Sequence, residues 1–455
     1  MTNPEDGADT LTCLRGGTIF AFDAEKNVFE DGELWLKGPD ILSVGTRGAF
    51  TPPNDRITYV DIPGRMILPG FINAHTHSYS ALLKGSVESE PLDIYMLAVI
   101  ATGAAMTPRE IYVSAQLDAL AMLHTGVTSA IDHYSERPAL SADGLNAVCT
   151  AFEDIGMRAT VATMFADLPY IDTVPVDRRK LPAEILAAAA SHPTPDAKAY
   201  FGIKTQAAMR REGGPGFVRR MADLGILDEN SSLVHFIWSS DDDIAAAAET
   251  GLTVVHSPVS NAMLGAGLAP ILRLRKAGIP VAYGTDGSNC GPPGLLESMR
   301  MGCYMMRLTD PDFEQWPDAR TILSEGYSAG ARALGRAGKI GTLEAGTRAD
   351  ITVLKPVDHW HRPMGNPYRH LLYYENGSST EHVWVDGRQV VKDGRVTTID
   401  EEALIAEAEE IAARRRGNMS AGALDAVAAQ YPAFRQMILD NFAADIGIDR
   451  RINLS

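Results

Sequence analysis

The sequence predicts an α/β protein whose centre is a (β/α)8, TIM-like barrel. Between residues 66 and 345, short apolar or β-branched runs are each followed by longer stretches rich in Ala, Glu, Arg and Leu. Repeated strand-then-helix units of this kind are typical of parallel strands joined by crossover helices. The alternation continues over about 280 residues, which is the usual length of an eightfold barrel. A doubly wound open sheet is the structural alternative, but we find no Gly-rich dinucleotide fingerprint to support it.

Short strands are predicted at both ends of the chain. Residues 1–65 and 346–400 contain alternating or clustered apolar runs that Gly, Asp and Asn interrupt. The pair Asp386-Gly387 is a favoured two-residue turn for a β-hairpin. We therefore expect the two end segments to form one small composite β-sandwich beside the barrel of residues 66–345.

Residues 401–455 are predicted to form C-terminal helices. Leu404, Ala408 and Ile411 recur at helical spacing, with Glu and Arg on the other faces. A second apolar stripe lies between residues 421 and 446, and it is larger than a lone tail should expose to water. We expect these helices to cap the barrel or to mediate self-association, as a homodimer or a higher homo-oligomer.

Charge and composition exclude several classes of protein. The chain has 455 residues, 45% of them apolar, and a formal net charge of −17. So acidic a chain is unsuited to nucleic acid or to anionic membranes. No apolar run approaches the roughly 18 residues that span a bilayer, the N-terminus has no secretory pattern, and the four cysteines lie far apart. We expect a cytoplasmic protein with reduced thiols and a small-molecule substrate.

The segment His75-Thr76-His77 carries the sharpest chemical signal. It follows an apolar, strand-like run from Met66 to Ala74. Residues i and i+2 of a strand point to the same side, so the two imidazoles converge as chelation of a transition metal requires. An isolated H-x-H pattern is weak, and two hydrogen-bonded histidines in a turn are the structural alternative.

Asp286 ends a second apolar run, which begins at Val281. A carboxylate at the C-terminal end of a barrel strand lies where barrel enzymes place catalytic groups. It could bind a metal and accept a proton from bound water. The alternative is that Asp286 caps the helix expected after Pro293.

Further polar side chains lie in or beside apolar runs. His235 lies inside the predicted strand 232–237, where its imidazole must be hydrogen-bonded or bound to a ligand. A satisfied core histidine is the alternative. His256 ends another such run and could contact substrate, although a structural role is equally supported; His133 is similar and weaker. Trp238 is a candidate for the apolar wall of a substrate pocket.

Taken in order, several segments resemble the amidohydrolase superfamily, in its branch of atrazine chlorohydrolase, S-adenosylhomocysteine deaminase and guanine deaminase. The resemblance covers residues 12–400 and implies a (β/α)8 barrel with a composite β-sandwich from both termini. The resembling segments are Leu68–His77, His235–Trp238, His256–Asn261, Leu264–Pro270, Gly284–Gly287 and Gly341–Asp350.

The resemblance implies one divalent transition metal, expected to be zinc, with iron or manganese as alternatives. Its ligands would include His75, His77 and Asp286, and His235 matches the family's sixth-strand histidine. Asp286 and His235 are the implied catalytic pair, which manages protons and orients the attacking water. The water attacks a ring carbon, and ammonia, an amine or chloride leaves. The expected substrate contacts are His256, Gln206 and Trp238.

The chain departs from the family pattern at the fifth strand. Such strands carry a metal-binding histidine followed three residues later by an acid. No residue between His192 and His235 supplies that histidine, and the candidate strand 200–206 holds Lys204 and Gln206 instead. We expect a barrel shortened around strands 4–5, with three metal ligands or with His235 as the fourth.

Together, the residues and the resemblance predict a metal-dependent hydrolase of a non-peptide C–N bond. The expected activity is that of an aminohydrolase, or deaminase, or of an amine-releasing hydrolase, acting on a small N-heterocycle. One alternative is a divergent protein of the same fold that has lost hydrolysis and has a binding or structural role. A second alternative is a lyase or isomerase that uses the same pocket.

Overall fold

A computed structural model shows which parts of the chain form the fold. It describes residues 10–85, 90–92, 94–95, 105–136, 140–163, 216–356, 361–418, 421–443 and 447–450. The strands in chain order are β1 (Leu11–Phe20), β2 (Val28–Lys37), β3 (Asp40–Thr46), β4 (Ile57–Asp61), β5 (Met66–Pro69), β6 (Phe71–His77), β7 (Val127–Tyr134), β8 (Arg158–Thr163), β9 (Ser232–Val234), β10 (Thr253–His256), β11 (Val281–Tyr283), β12 (Asp286–Gly287), β13 (Ile351–Leu354), β14 (Thr380–Val385), β15 (Arg388–Lys392) and β16 (Arg395–Val396).

The helices alternate with the central strands, as the sequence pattern predicts. Short 3-10 helices cover Ser78–Leu83 and Phe313–Gln315. The α-helices are α1 (Pro108–His124), α2 (Ala142–Ile155), α3 (Phe217–Asp223), α4 (Asp241–Thr250), α5 (Pro258–Met263), α6 (Ile271–Lys276), α7 (Leu295–Thr309), α8 (Ala319–Ala333), α9 (Pro367–Tyr373), α10 (Glu401–Asn418) and α11 (Ala421–Ala443).

Strands from both ends of the chain share one nine-stranded sheet. Its order is β16-β15-β14-β13-β5-β1-β2-β3, with β4 paired to β1. The two ends join where β5 pairs antiparallel with β13, in a register that places Pro69 opposite Ile351. The predicted hairpin is present between β14 and β15, and Asp386 and Gly387 at its turn have φ values of 50° and 75°. The division of this sheet into two sandwiched layers stays a prediction.

The central strands form two parallel sheets, ordered β12-β6-β7-β8 and β11-β10-β9. Strands β6, β7, β10 and β11 are buried along their whole length, as expected for parallel strands covered on both faces. The sheets meet where the Thr285 amide donates to the His75 carbonyl at 3.0 Å. The α/β class is therefore confirmed. Residues 164–215, between β8 and β9, lie outside the described part, so barrel closure and shortening stay predictions.

Helix α1 begins with a capping box and packs one face against the end of β6. The Thr107 side chain accepts a hydrogen bond from the Glu110 amide, and the Glu110 side chain accepts one from the Thr107 amide. Pro108 occupies the first turn. Its buried residues are mostly apolar but include the carboxylate of Asp118, which is 0% exposed. This face lies against the 3-10 turn that follows β6, so α1 brings Asp118 next to the end of that strand.

The C-terminal segment returns to the body of the protein. Arg415 on α10 donates to the Glu110 carboxylate at 3.0 Å. Beyond α11, Arg450 donates to the carbonyls of Ile237 at 3.1 Å and Ser239 at 3.0 Å. These contacts agree with a capping role for the C-terminal helices, whereas self-association stays a prediction. No helix in the described part of the chain is long and apolar enough to cross a membrane.

Replacing Arg450 with alanine should lower the melting temperature by a few degrees. The change leaves two carbonyl groups without their charged donor, and unmade bonds of this kind cost about 1–3 kcal/mol. Thermal unfolding of the variant beside wild type measures the effect. Arg435→Ala is the matched control, because Arg435 is exposed on α11. Equal melting temperatures for Arg450→Ala and Arg435→Ala would show that the bonds from Arg450 to the two carbonyls do not stabilise the fold.

Candidate metal centre

The two histidines of β6 converge, as their spacing predicts. Both side chains are buried, and His75 Nε2 and His77 Nε2 each lie 3.3 Å from Asp286 Oδ1. The ligand atoms of these three residues all lie within 4.8 Å of one another. The rings meet nearly edge to face, with an interplanar angle of 79°. Strand geometry therefore gathers two imidazole nitrogens and a carboxylate oxygen around one point.

Asp286 reaches that point through an unusual backbone conformation. It begins β12, pairs with Thr76 of β6, and has a φ of 63°. Asp is among the few side chains that tolerate this left-handed region. The preceding Gly284 is also required, because a Cβ there would lie 2.6 Å from His75 Cβ. The alternative, that Asp286 caps the next helix, is wrong, because Gly294 is the N-cap of α7.

His235 joins the same group of side chains but does not lie in a strand. The prediction of a strand over 232–237 is wrong beyond Val234, because His235 and Phe236 have φ values of 68° and 47°. The turn aims His235 Nε2 at Asp286 Oδ2, 3.5 Å away. His235 Nδ1 lies 2.8 Å from Asn261 Oδ1, which can only accept a hydrogen bond. Nδ1 therefore carries the proton, and Nε2 keeps its lone pair towards Asp286.

Strand β7 orients the two histidines of β6. His77 Nδ1 donates to the His133 carbonyl at 2.7 Å, which leaves the lone pair of His77 on Nε2. His75 Nδ1 lies 2.8 Å from His133 Nδ1, so one of these two rings donates to the other. If His75 is the donor, its own Nε2 also carries a lone pair towards Asp286. His133 is thus an orienting residue, a role that its place at the end of an apolar run only hints at.

The charges of the cluster favour a bound cation. Burial alone would raise the pKa of Asp286, but the surrounding imidazoles of His75, His235 and His77 hold this pKa well below its ordinary value, so Asp286 is an ionised carboxylate. His75 Nε2 is buried and has no hydrogen-bond partner among the described residues. Nitrogen lone pairs and a carboxylate that face one another repel unless a proton or a metal ion lies between them. The donor set fits a divalent transition metal.

Two buried carboxylates lie behind the ends of these strands. Asp132 accepts from the Ser78 amide at 3.0 Å and from the Ser78 hydroxyl at 2.5 Å. Burial raises the pKa of Asp132 to about 7, against the lowering effect of those hydrogen bonds. Asp118 accepts from the Thr76 hydroxyl at 3.0 Å. The side chains on β6 therefore alternate: His75 and His77 face the centre, while Thr76 and the following Ser78 face buried acids.

The predicted substrate contacts are not all brought to this cluster. The His256 ring lies beside Tyr283, 6.0 Å between ring centroids, and against Gly302 of α7. Burial, with a smaller effect from the charge of His235, lowers the pKa of His256 to about 3, so its ring is neutral. Trp238 is buried and donates to the Ala266 carbonyl at 3.0 Å. Gln206 lies outside the described residues. The substrate-binding roles of these residues stay predictions.

Comparison with known proteins places this geometry in a family. The family model described as the amidohydrolase family matches residues 66–198 and 197–390. The chain is 28% identical to the 5-methylthioadenosine/S-adenosylhomocysteine deaminase of Desulforamulus reducens over 436 residues, covering 89% of this chain and 99% of that protein. It is 26% identical to the 5'-deoxyadenosine deaminase of Methanosarcina mazei, covering 88% and 97%.

Solved structures agree on the fold. An adenosine deaminase from Xanthomonas campestris with bound zinc superposes with a TM-score of 0.79 at 22% identity, covering 89% of this chain and 98% of that one. The atrazine chlorohydrolase of Arthrobacter aurescens in complex with zinc superposes with a TM-score of 0.77 at 24% identity, covering 88% and 100%. The prediction of a hydrolase that acts on C–N bonds other than peptide bonds is confirmed, and the chain belongs to the amidohydrolase family.

Proposed function

We propose that this chain is a metal-dependent aminohydrolase that removes the exocyclic amino group of an adenine nucleoside or a close derivative. The convergence of His75, His77, His235 and Asp286 on one buried point carries this proposal. Both of the curated relatives named above are described as deaminases of adenosine derivatives. The match covers 99% of the first relative and 97% of the second, which supports the same reaction class here.

Zinc is the metal that the donor set favours. Imidazole nitrogens with one carboxylate suit zinc, and iron or manganese could take the same ligands. When bound at this point, such an ion lowers the pKa of water towards neutrality and makes it a nucleophile. The ligands that we propose are His75, His77 and Asp286, with His235 as the fourth. His235 would thereby replace the fifth-strand histidine that the family pattern carries.

Asp286 is placed to move the protons of the reaction, and His235 would share this task where its Nε2 does not bind the metal. Deamination adds water to the ring carbon and releases ammonia, so a proton must pass from the water to the departing nitrogen. The low pKa of Asp286 keeps its carboxylate ionised, so an oxygen that does not bind the metal has a lone pair to accept that proton. His235 Nε2 is 3.5 Å from Asp286 Oδ2, and the bond from Nδ1 to Asn261 keeps Nε2 pointed towards Asp286. Burial of the cluster excludes bulk water from the exchange.

The second candidate function is binding without hydrolysis, or a lyase or isomerase reaction in the same pocket. One observation favours it: His192 is the only histidine between His133 and His235, and no acid follows it at the third position. If the metal site needs the missing ligand, turnover is lost although the fold persists.

Metal-replete protein should convert the 6-amino group of an adenine nucleoside to the 6-oxo group. The assay measures ammonia release and the change in ultraviolet absorbance with 5'-methylthioadenosine, S-adenosylhomocysteine and 5'-deoxyadenosine. Asp286→Asn should lower kcat by at least about 100-fold, since it removes the proton acceptor. No turnover of these nucleosides, of other amino-heterocycles or of chlorotriazines by zinc-, iron- or manganese-loaded wild type would favour the second candidate.

Removing the imidazole of His235 should lower metal affinity as well as turnover. We expect His77→Ala and His235→Ala each to bind zinc at least about 10-fold more weakly than wild type, because each loses a ligand. Competition with a chromogenic chelator gives the dissociation constants, and the ammonia assay gives kcat. His370→Ala is the control, since His370 lies in α9, away from the cluster. Full zinc retention in His235→Ala beside loss in His77→Ala would limit His235 to proton transfer.

A further inference from the structure

The buried acid Asp118 is hydrogen-bonded to both of the segments that supply the metal ligands. It lies in the middle of α1 and is 0% exposed. Among the described residues, no basic side chain forms a salt bridge with it. Burying a carboxylate without a cation costs free energy, so a purely structural helix position would favour an apolar side chain. Packing of the helix therefore does not account for a carboxylate at this position.

The hydrogen bonds of Asp118 supply that explanation. Its Oδ2 accepts from the Thr76 hydroxyl at 3.0 Å, and its Oδ1 accepts from the Ser288 hydroxyl in a short contact. Thr76 is the residue between the two histidines of β6, and Ser288 is two residues beyond Asp286. One carboxylate on a third element thus joins the segment of the histidines to the segment of the aspartate.

The backbone pairing between these two segments is short. Strands β12 and β6 pair through only two residues each, Asp286 with Thr76 and Gly287 with His77. A second side-chain bridge comes from Ser80, whose oxygen accepts from the Ser288 amide at 2.7 Å. Since Asp286 also holds a left-handed φ, its carboxylate has no regular strand to define its direction. The side-chain bridges therefore set the separation of Asp286 from the histidines.

We propose that Asp118 is a positioning residue for the metal centre, acting through Thr76 and Ser288 on the geometry of His75, His77 and Asp286. The inference rests on the proposed metal site and adds a residue to its supporting shell. Partners that orient metal ligands typically change metal affinity by about 10–100-fold when they are lost. Asp118 would act in this way without contacting the metal, because both of its oxygens are occupied by hydroxyl donors.

The test compares zinc affinity in Asp118→Ala, Asp118→Asn and wild type. Alanine removes both acceptors, so we expect its zinc dissociation constant to rise about 10–100-fold. Asparagine keeps one acceptor oxygen, so its loss should be smaller. The visible absorption of the cobalt-loaded protein gives a second readout, since a displaced ligand changes its intensity. Gln116→Ala is the matched control: Gln116 is 4% exposed on the same helix and donates to Tyr112, not to the metal strands.

The melting temperatures of the metal-free proteins separate positioning from stability. Gln116→Ala and Asp118→Ala can both destabilise the fold, but only Asp118→Ala should weaken zinc binding and alter the cobalt spectrum. If Asp118→Ala does not fold, Ser288→Ala serves instead, because it removes only one of the two donors. We expect Ser288→Ala to weaken zinc binding several-fold, and the double variant Asp118→Asn/Ser288→Ala to show non-additive losses.

Two outcomes overturn the inference. Unchanged zinc affinity and cobalt spectrum in folded Asp118→Ala, or in Ser288→Ala where the first variant fails to fold, would leave the proposed function intact and remove Asp118 from it. Wild type that binds no zinc, iron or manganese would instead overturn the metal site and the positioning role together.

Discussion

The structure depends on holding several electron-rich groups together at one buried point. Three imidazole nitrogens face the two oxygens of Asp286 at 3.3–3.5 Å, in a region from which water is largely excluded. Lone pairs and a carboxylate at this separation repel unless a positive charge lies among them. A metal ion supplies that charge better than a single proton can, because it attracts all four groups at once. The surrounding residues must therefore enforce this arrangement.

Several local features hold the imidazoles and the Asp286 carboxylate in this arrangement. Gly284 permits the close approach of His75, and left-handed backbone at His235 and Asp286 turns both side chains inward. Residues in such regions cost free energy, and they persist where the surrounding structure over-determines them. Hydrogen bonds from Asn261 and His133 set the direction of the rings. The buried acids behind β6 hold the intervening positions of the same strand. The centre thus has an inner shell of proposed metal ligands and an outer shell of residues that orient them. The outer shell explains the geometry of the inner one.

The sequence alone predicted the inner shell better than the outer one. His75 and His77 could be predicted because the two-residue period of a strand is a local property. The hairpin turn at Asp386-Gly387 was predictable for the same reason, since two residues determine its backbone. Asp286 and His235 needed the resemblance, because their convergence depends on which strands are neighbours.

The outer shell depends on tertiary contacts that no short pattern carries. Asp118 lies 42 residues beyond Thr76 and 170 residues before Ser288, so no local period marks it. His133 stood out only as a weaker candidate, and no pattern assigned an orienting role to His133 or to Asn261. The strand over 232–237 was predicted three residues too long, because apolar composition does not reveal a left-handed turn at His235. The absence of a fifth-strand histidine and the domain boundaries stay predictions.

The most direct measurement is the anomalous scattering of crystals of the zinc-loaded protein, recorded on both sides of the zinc edge. The account predicts one strong peak about 2.0–2.2 Å from His75 Nε2, His77 Nε2 and an Asp286 oxygen, with His235 Nε2 completing the site. No peak at that point would contradict the account. A peak only elsewhere would do the same, for example at Glu381, His382 and Asp393, the other described group of side chains that could hold an ion.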